Sequence, residues 1–337
     1  MSRVESLIRF FRNHSVTAGE LPAVIASERR LTGRPYELFS AMRSAGRELW
    51  FDKMGLCGVL FILALGGMAI LAPWISPYDP AAQSLNDRLS PPFWLEGGSP
   101  AYWLGTDHLG RDVLSRTIFG SRVSLLVGLA VLAVAGSIGT LLGLIAGYLG
   151  GRTESLIMRW VDIQVAFPAL LLALIILAVV RPSPLTLIIV LSLNGWMVYT
   201  RLVRGIVLSV KESPYVEAAR IIGCRTRRII SRHILPNLTA PLLTLAVLEF
   251  ARIVLAEAAL SFLGLGIQPP ATSWGLDVAN GKNYIFNAWW LVTVPGAAIA
   301  LTVLGMNLLA SWLRVAADPR EREKRFAQAA QQTGGTV

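Results

Sequence analysis

Charge is scarce in this chain. Asp, Glu, Lys and Arg make up 15% of its 337 residues, where a soluble domain carries about 25%. Too few charged groups are present to coat a water-facing surface, which argues against disorder, a collagen-like repeat and a water-soluble enzyme. Cysteine is nearly absent. Cys57 lies in an apolar run and Cys224 in a distant basic segment, so neither a disulfide nor a thiolate metal site is expected. The histidines, His14, His108 and His233, are too scattered to suggest a metal cluster. A phosphate loop is missing too: the only Gly-Lys pair, Gly281-Lys282, is followed by Asn283 rather than Ser or Thr. No Ser/His/Asp or H-E-x-x-H arrangement argues for a membrane enzyme. The chain is expected to have no catalytic residue, metal or cofactor of its own.

What the chain has in excess is apolar sequence, 54% hydrophobic residues with a mean hydropathy of +0.56. A helix needs roughly 20 mostly apolar residues to cross the ~30 Å hydrocarbon core. The charge-free intervals predict six spans, near 55–75, 123–151, 163–180, 182–200, 239–262 and 292–313. The third and fourth are separated by the tight turn Arg181-Pro182-Ser183-Pro184. The expected organisation is a cytoplasmic segment 1–54, a first span with its outer loop over 55–122, a five-helix core over 123–313 and a cytoplasmic tail 314–337.

The net charge of +10 is a topology signal and not a sign of nucleic-acid binding. With the N-terminus cytoplasmic, the inside segments (1–54, 149–164, 201–238, 314–337) hold 24 basic and 13 acidic residues. The outside segments (76–122, 181–184, 263–291) hold 6 of each. The Lys/Arg bias places both termini inside. Residues 1–54 are charged throughout, so no cleavable signal peptide is expected.

The inside loop 211–238 reads KESPYVEAARIIGCRTRRIISRHILPNL. Ser213 can cap a helix, Pro214 suits its first position and Gly223 can end it, leaving roughly nine residues, ~13 Å long. A short rigid helix of this kind is a lever that can seat in a partner's groove. Beyond it, Arg225, Arg227, Arg228 and Arg232 interleave with Ile229, Ile230 and Ile234 up to Pro236, where the stretch is expected to stop. Spacing alone equally suits a basic helix lying on anionic lipid.

Glu217-Ala218-Ala219, Gly223 and Leu235-Pro236 resemble the E-A-A-x3-G-x9-I-x-L-P loop of binding-protein-dependent ABC importer permeases, with His233 at the isoleucine position. The run Leu104-Gly105-Thr106-Asp107-His108-Leu109-Gly110-Arg111-Asp112-Val113-Leu114-Ser115-Arg116 is similar to the L-G-T-D-x-x-G-R-D-x-x-S-R segment of the dipeptide/oligopeptide/nickel branch. So are Glu257 to Gly266, Gln268-Pro269-Pro270 and Ser273-Trp274-Gly275 to that branch's E-A-x-L-S-F-L-G-L-G, P-P and S-W-G elements. The resemblance covers about residues 50–318 and points to a C-type permease subunit. It implies an all-α polytopic membrane protein of the type I ABC importer permease (MetI-like) fold. It also implies the partners: a B-type permease, two ATP-binding subunits that consume the ATP and an extracytoplasmic binding protein. Glu217, Ala218, Ala219, Gly223, Leu235 and Pro236 then fall on the ATPase-coupling loop. The implied substrate is a short peptide, although the branch also takes nickel and other small solutes. An ion-coupled secondary transporter would show inverted repeats, and no convincing repeat is visible. A membrane anchor that merely recruits a cytoplasmic partner is the remaining reading.

Other residues carry two readings each. Gly139, Gly143 and Gly147, four apart, form a glycine face suited to close helix packing or a narrow pore wall. Glu249 and Arg252 are three apart on the fifth span and can meet. They suit a translocation path that meets the charged ends of a peptide, or a structural ion pair at a subunit interface. Glu257, nearer the outer end, suits gating or helix bonding. Asp107, His108 and Asp112 are read as a turn-rich solvated loop rather than a metal site. Trp94, Tyr102 and Trp103 suit the outer membrane interface or a docked binding protein. Leu7, Ile8, Phe10 and Phe11, mixed with Arg3, Arg9 and Arg12, suggest a helix on the inner leaflet.

Overall fold

The computed structural model describes residues 52–317. The N-terminal amphipathic segment around Leu7 to Arg12 and most of the tail lie outside the described residues. Among the described residues the fold is all-helical, with one isolated bridge, Thr106 to Asp112. The helices are α1 (Lys53–Ile75), α2 (Val113–Leu149), α3 (Gly151–Val165), α4 (Ala169–Val179), α5 (Pro184–Lys211), α6 (Pro214–Ile221), α7 (Thr226–Ile229), α8 (Leu235–Phe262), α9 (Trp274–Gly281) and α10 (Trp290–Ala317). Five helical stretches are long and apolar enough to cross a bilayer, α7 and α8 being joined into one of them. The pair α3 and α4, bent by 82° at their break, makes a sixth when counted as one span.

The spans fall where expected, but several boundaries move. α2 begins at Val113 rather than near residue 123, and its 37 residues extend ~55 Å, well beyond the hydrocarbon core. Its start is fixed by Asp112, whose carboxylate accepts the Ser115 N–H at 2.8 Å. The third span is broken rather than continuous. α4 has only 11 residues, or ~16 Å of helix, and the rest of the crossing falls to α3. The polar residues of α3 are answered: Glu154 accepts from Arg204 Nε at 2.7 Å and Asp162 from Arg201 at 2.7 Å. α5 likewise runs on to Lys211, which donates to the Gly147 carbonyl at 2.9 Å.

Two buried clusters organise the membrane region. Val127 and Val131 of α2 meet Ala173 and Leu177 of α4, Leu187, Val190 and Leu191 of α5, and Ile253 and Leu260 of α8. A second cluster joins Leu65 of α1 to Phe250, Ala251 and Val254 of α8, Trp274 of α9 and Met306 of α10.

The glycine face of α2 packs against α5. A methyl group at Gly143 would lie 2.7 Å from Val203 Cβ and 2.8 Å from the Thr200 carbonyl oxygen. One at Gly147 would lie 2.8 Å from Val207 Cβ, and the space at Gly139 is filled by Trp196, Tyr199 and Thr200. Small residues let membrane helices approach this closely. Gly143→Ala should therefore destabilise the protein by about 1–3 kcal/mol through overpacking. Gly66→Ala, where nothing lies within 4 Å, should not. Thermal unfolding of the two variants in detergent checks this.

Candidate functional site

The loop 211–238 forms a short helix tied to the ends of two spans. Ser213 does not cap it with its side chain; the hydroxyl turns back to the Val210 carbonyl at 2.5 Å. The Ser213 carbonyl instead accepts the N–H groups of Val216 and Glu217 at 3.0 and 3.1 Å, and Pro214 opens the helix without losing a bond. At the other end Gly223 adopts φ 86°. Cys224 N–H reaches the Ala219 carbonyl and Gly223 N–H that of Arg220, at 3.0 and 2.9 Å. This is a Schellman closure, which needs the left-handed residue that glycine supplies.

The two faces of α6 differ. Val216 and Ala219 are buried with Val203 and Val207 of α5, Ile229 of α7, Ile234, and Leu238 of α8. Tyr215 adds a hydrogen bond from Asn237 Nδ2 at 3.3 Å and a ring contact with His233. Glu217, Ala218 and Gly223 are exposed. Ile221 and Ile222 are each 81% exposed. Ala219 thus packs into the chain's own core, unlike Glu217, Ala218 and Gly223 of the same motif. Its period from Val216 carries it inward. Ile221 and Ile222, not singled out in the sequence, end the helix off the Val216–Ala219 face, and that period could have shown them outward.

Pro236 does not stop the basic stretch. Thr226–Phe262 runs as one helical unit. The turn Ile230–Ile234 is widened to a π-helical turn, with Leu235 N–H bonding the Ile230 carbonyl. That wider turn accommodates the ring and missing N–H of Pro236. Leu235 and Pro236 are exposed at this junction.

Farther up α8, Arg252 Nη1 donates to Glu249 Oε1 at 2.7 Å. The side chains differ sharply, Glu249 being 7% exposed and Arg252 67%. Glu257 is 1% exposed and accepts from Ser261 Oγ at 2.7 Å and Ser124 Oγ at 3.4 Å. Its hydrogen bonds tie Glu257 of α8 to Ser124 of α2. Tyr199, 3% exposed, leaves its hydroxyl without a hydrogen-bond partner among the described residues.

The outer segment is not a solvated loop. Asp107, Arg111, Asp112 and Arg116 are all buried. Asp107 accepts Arg111 Nε at 2.6 Å and the N–H groups of Leu109 and Arg111 at 2.8 and 3.0 Å. Arg116 reaches across to α9, donating from Nε to Asp277 Oδ1 at 2.9 Å, and a second N–H of the same guanidinium reaches that oxygen. It also donates to the Pro80 carbonyl at 3.2 Å. Thr272 completes Asp277 at 3.0 Å, and Trp274 and Trp290 donate to the carbonyls of Thr117 and Thr106. His108 stacks on Tyr284 at 5.6 Å. Tyr102 is tied to Asp87 at 3.2 Å, while Trp94 and Trp103 remain exposed beside Phe93.

Burial holds the His108 imidazole below its ordinary 6.5; Asp107 opposes that effect, and Arg111, Arg116 and Arg88 add to it. Burial pushes the Asp112 carboxyl up against the hydrogen bonds from Ser115.

Helices long and apolar enough to cross a bilayer, five or up to six with the bent pair, define a multi-pass membrane protein. Residues 139–323 match the family described as the binding-protein-dependent transport system inner membrane component. Residues 40–92 match the N-terminal TM domain of oligopeptide transport permease C. The chain is 44% identical over 278 residues to the di/tripeptide transport system permease protein DppC of Pseudomonas aeruginosa, covering 81% of this chain and 92% of that protein. It is 44% identical to the dipeptide transport system permease protein DppC of Escherichia coli K12, covering 82% and 94%. With that of Bacillus subtilis it shares 37%, covering 84% and 87%. The chain belongs to the binding-protein-dependent transport permease family, as a C-type subunit of the dipeptide/oligopeptide branch in the bacterial inner membrane.

Two outcomes follow for the outer segment. Arg116→Gln strands a buried carboxylate and should destabilise the protein by about 3–5 kcal/mol, read as a lower melting temperature; adding Asp277→Asn should recover part of the loss. With its folded pKa below its unfolded one, His108 binds a proton more readily when unfolded. Stability should fall as pH drops below about 6.5, and less so in His108→Gln, measured by melting across that range.

Proposed function

We propose that this chain forms half of the pore of an ATP-driven importer of short peptides. A B-type permease forms the other half, two ATP-binding subunits lie beneath, and an extracytoplasmic binding protein delivers substrate. The observation that carries this reading is the two-faced helix α6. Its Glu217, Ala218, Ile221 and Ile222 are open to a partner, while Val216 and Ala219 are locked to the feet of α5 and α8. A displacement imposed on the open face passes directly into both spans. Closure of the ATP-binding dimer draws the two such helices together, and the pore opens outward to accept substrate; hydrolysis returns it to the inward-open state. The chain carries no phosphate loop, so ATP is hydrolysed by the partners.

The peptide assignment is supported by the relatives, which are di/tripeptide and dipeptide transport system permease proteins. Both termini lie in the cytoplasm in this reading, supported by the Lys/Arg excess on the α6 side. The test is uptake of labelled dialanine by proteoliposomes holding the complete complex. Uptake should require ATP and binding protein. In Glu217→Lys or Gly223→Asp, ATPase activity should persist while uptake is lost or the ATP-binding subunits dissociate. Uptake that survives without ATP would overturn the reading.

A further inference from the structure

Arg252 is a guanidinium left open on a membrane-spanning helix. One Nη is committed to Glu249 at 2.7 Å, and its other donors have no partner among the described residues. A guanidinium has five N–H donors in a planar fork. The same face of α8 carries Leu248, Leu255, Ala256 and Ala259 at helical spacing, and none of their side chains can accept a hydrogen bond from it. Lipid tails cannot answer such a group, so ionisable side chains at this depth face water or protein.

We propose that Arg252 receives the C-terminal carboxylate of the peptide in transit and that Glu249 is its positioning residue. This rests on the importer reading above. Every linear peptide with a free C-terminus presents that carboxylate whatever its sequence, so one fixed cation suits a pore whose selectivity is set elsewhere. The fork can take a carboxylate through two parallel hydrogen bonds. Glu249 is 7% exposed, too enclosed to meet the substrate's ammonium group. It neutralises Arg252 when the pore is empty and limits how tightly the carboxylate is held, so that the peptide can leave. A dry interface between permeases would have to satisfy the remaining donors from the partner; water and a passing carboxylate satisfy them in a path.

The experiment uses the complete complex in proteoliposomes with labelled dialanine. Arg252→Gln should assemble with all partners, read by co-purification of the complete complex. Its uptake should fall about tenfold or more, the loss of a charge-assisted bond, and Arg252→Lys should restore part of it. Glu249→Gln should change the KM for uptake more than its maximal rate. Unchanged uptake in Arg252→Gln overturns the proposal, as does loss of the second permease from that variant, which marks an interface ion pair. A wild-type complex that imports no dialanine overturns the importer reading itself, and this inference with it.

Discussion

Hydrocarbon admits a charge only where another group answers it, and the architecture follows from that constraint. Backbone polar groups are satisfied within helices, the only open-chain structure that can cross a bilayer. Side-chain charges are placed where partners meet them: Glu154 with Arg204, Asp162 with Arg201 and Lys211 with the Gly147 carbonyl toward one end, Arg116 with Asp277 toward the other. Between these bands α2 and α5 approach closely along a face of glycines. The polar bands and the glycine seam make α2, α3 and α5 one packed unit.

That unit gives α6 its mechanical meaning. A helix of eight residues has little stability alone, and α6 holds its shape through the closure at Gly223 and through Val216 and Ala219. Its inward face shares a cluster with Val203 and Val207, which also meet Gly143 and Gly147. A push on the outward face is thus carried to α5 and, through the glycine seam, to α2. The π-turn at Ile230–Ile234 carries α7 into α8 without a break, which gives the same push a second route to the span bearing Arg252.

The order of the spans was legible because apolar length is written residue by residue, and six result when the bent pair α3 and α4 counts as one. The short helix between Ser213 and Gly223 was legible for the same reason, as were the motifs of the family. Boundaries read from charge-free intervals failed where a charge had a distant partner. Arg116 was counted with the 76–122 loop rather than with α2, and its pairing with Asp277, 161 positions away, is invisible to periodicity. The outer loop was misread as solvated for the same reason. The motif treats Glu217, Ala218 and Ala219 alike, whereas helical period separates Ala219 from its neighbours and turns it toward Val216. Pro236 looked like a stop because a π-turn that can absorb it has no local sequence signature.

The central claim is that α6 couples this chain to ATP-binding partners. It is tested most directly by isolating the tagged chain from its native membrane in mild detergent and identifying what accompanies it. A second permease together with ATP-binding subunits is the result this account predicts. A chain that emerges alone, from cells whose uptake continues after ATP is depleted, would contradict it.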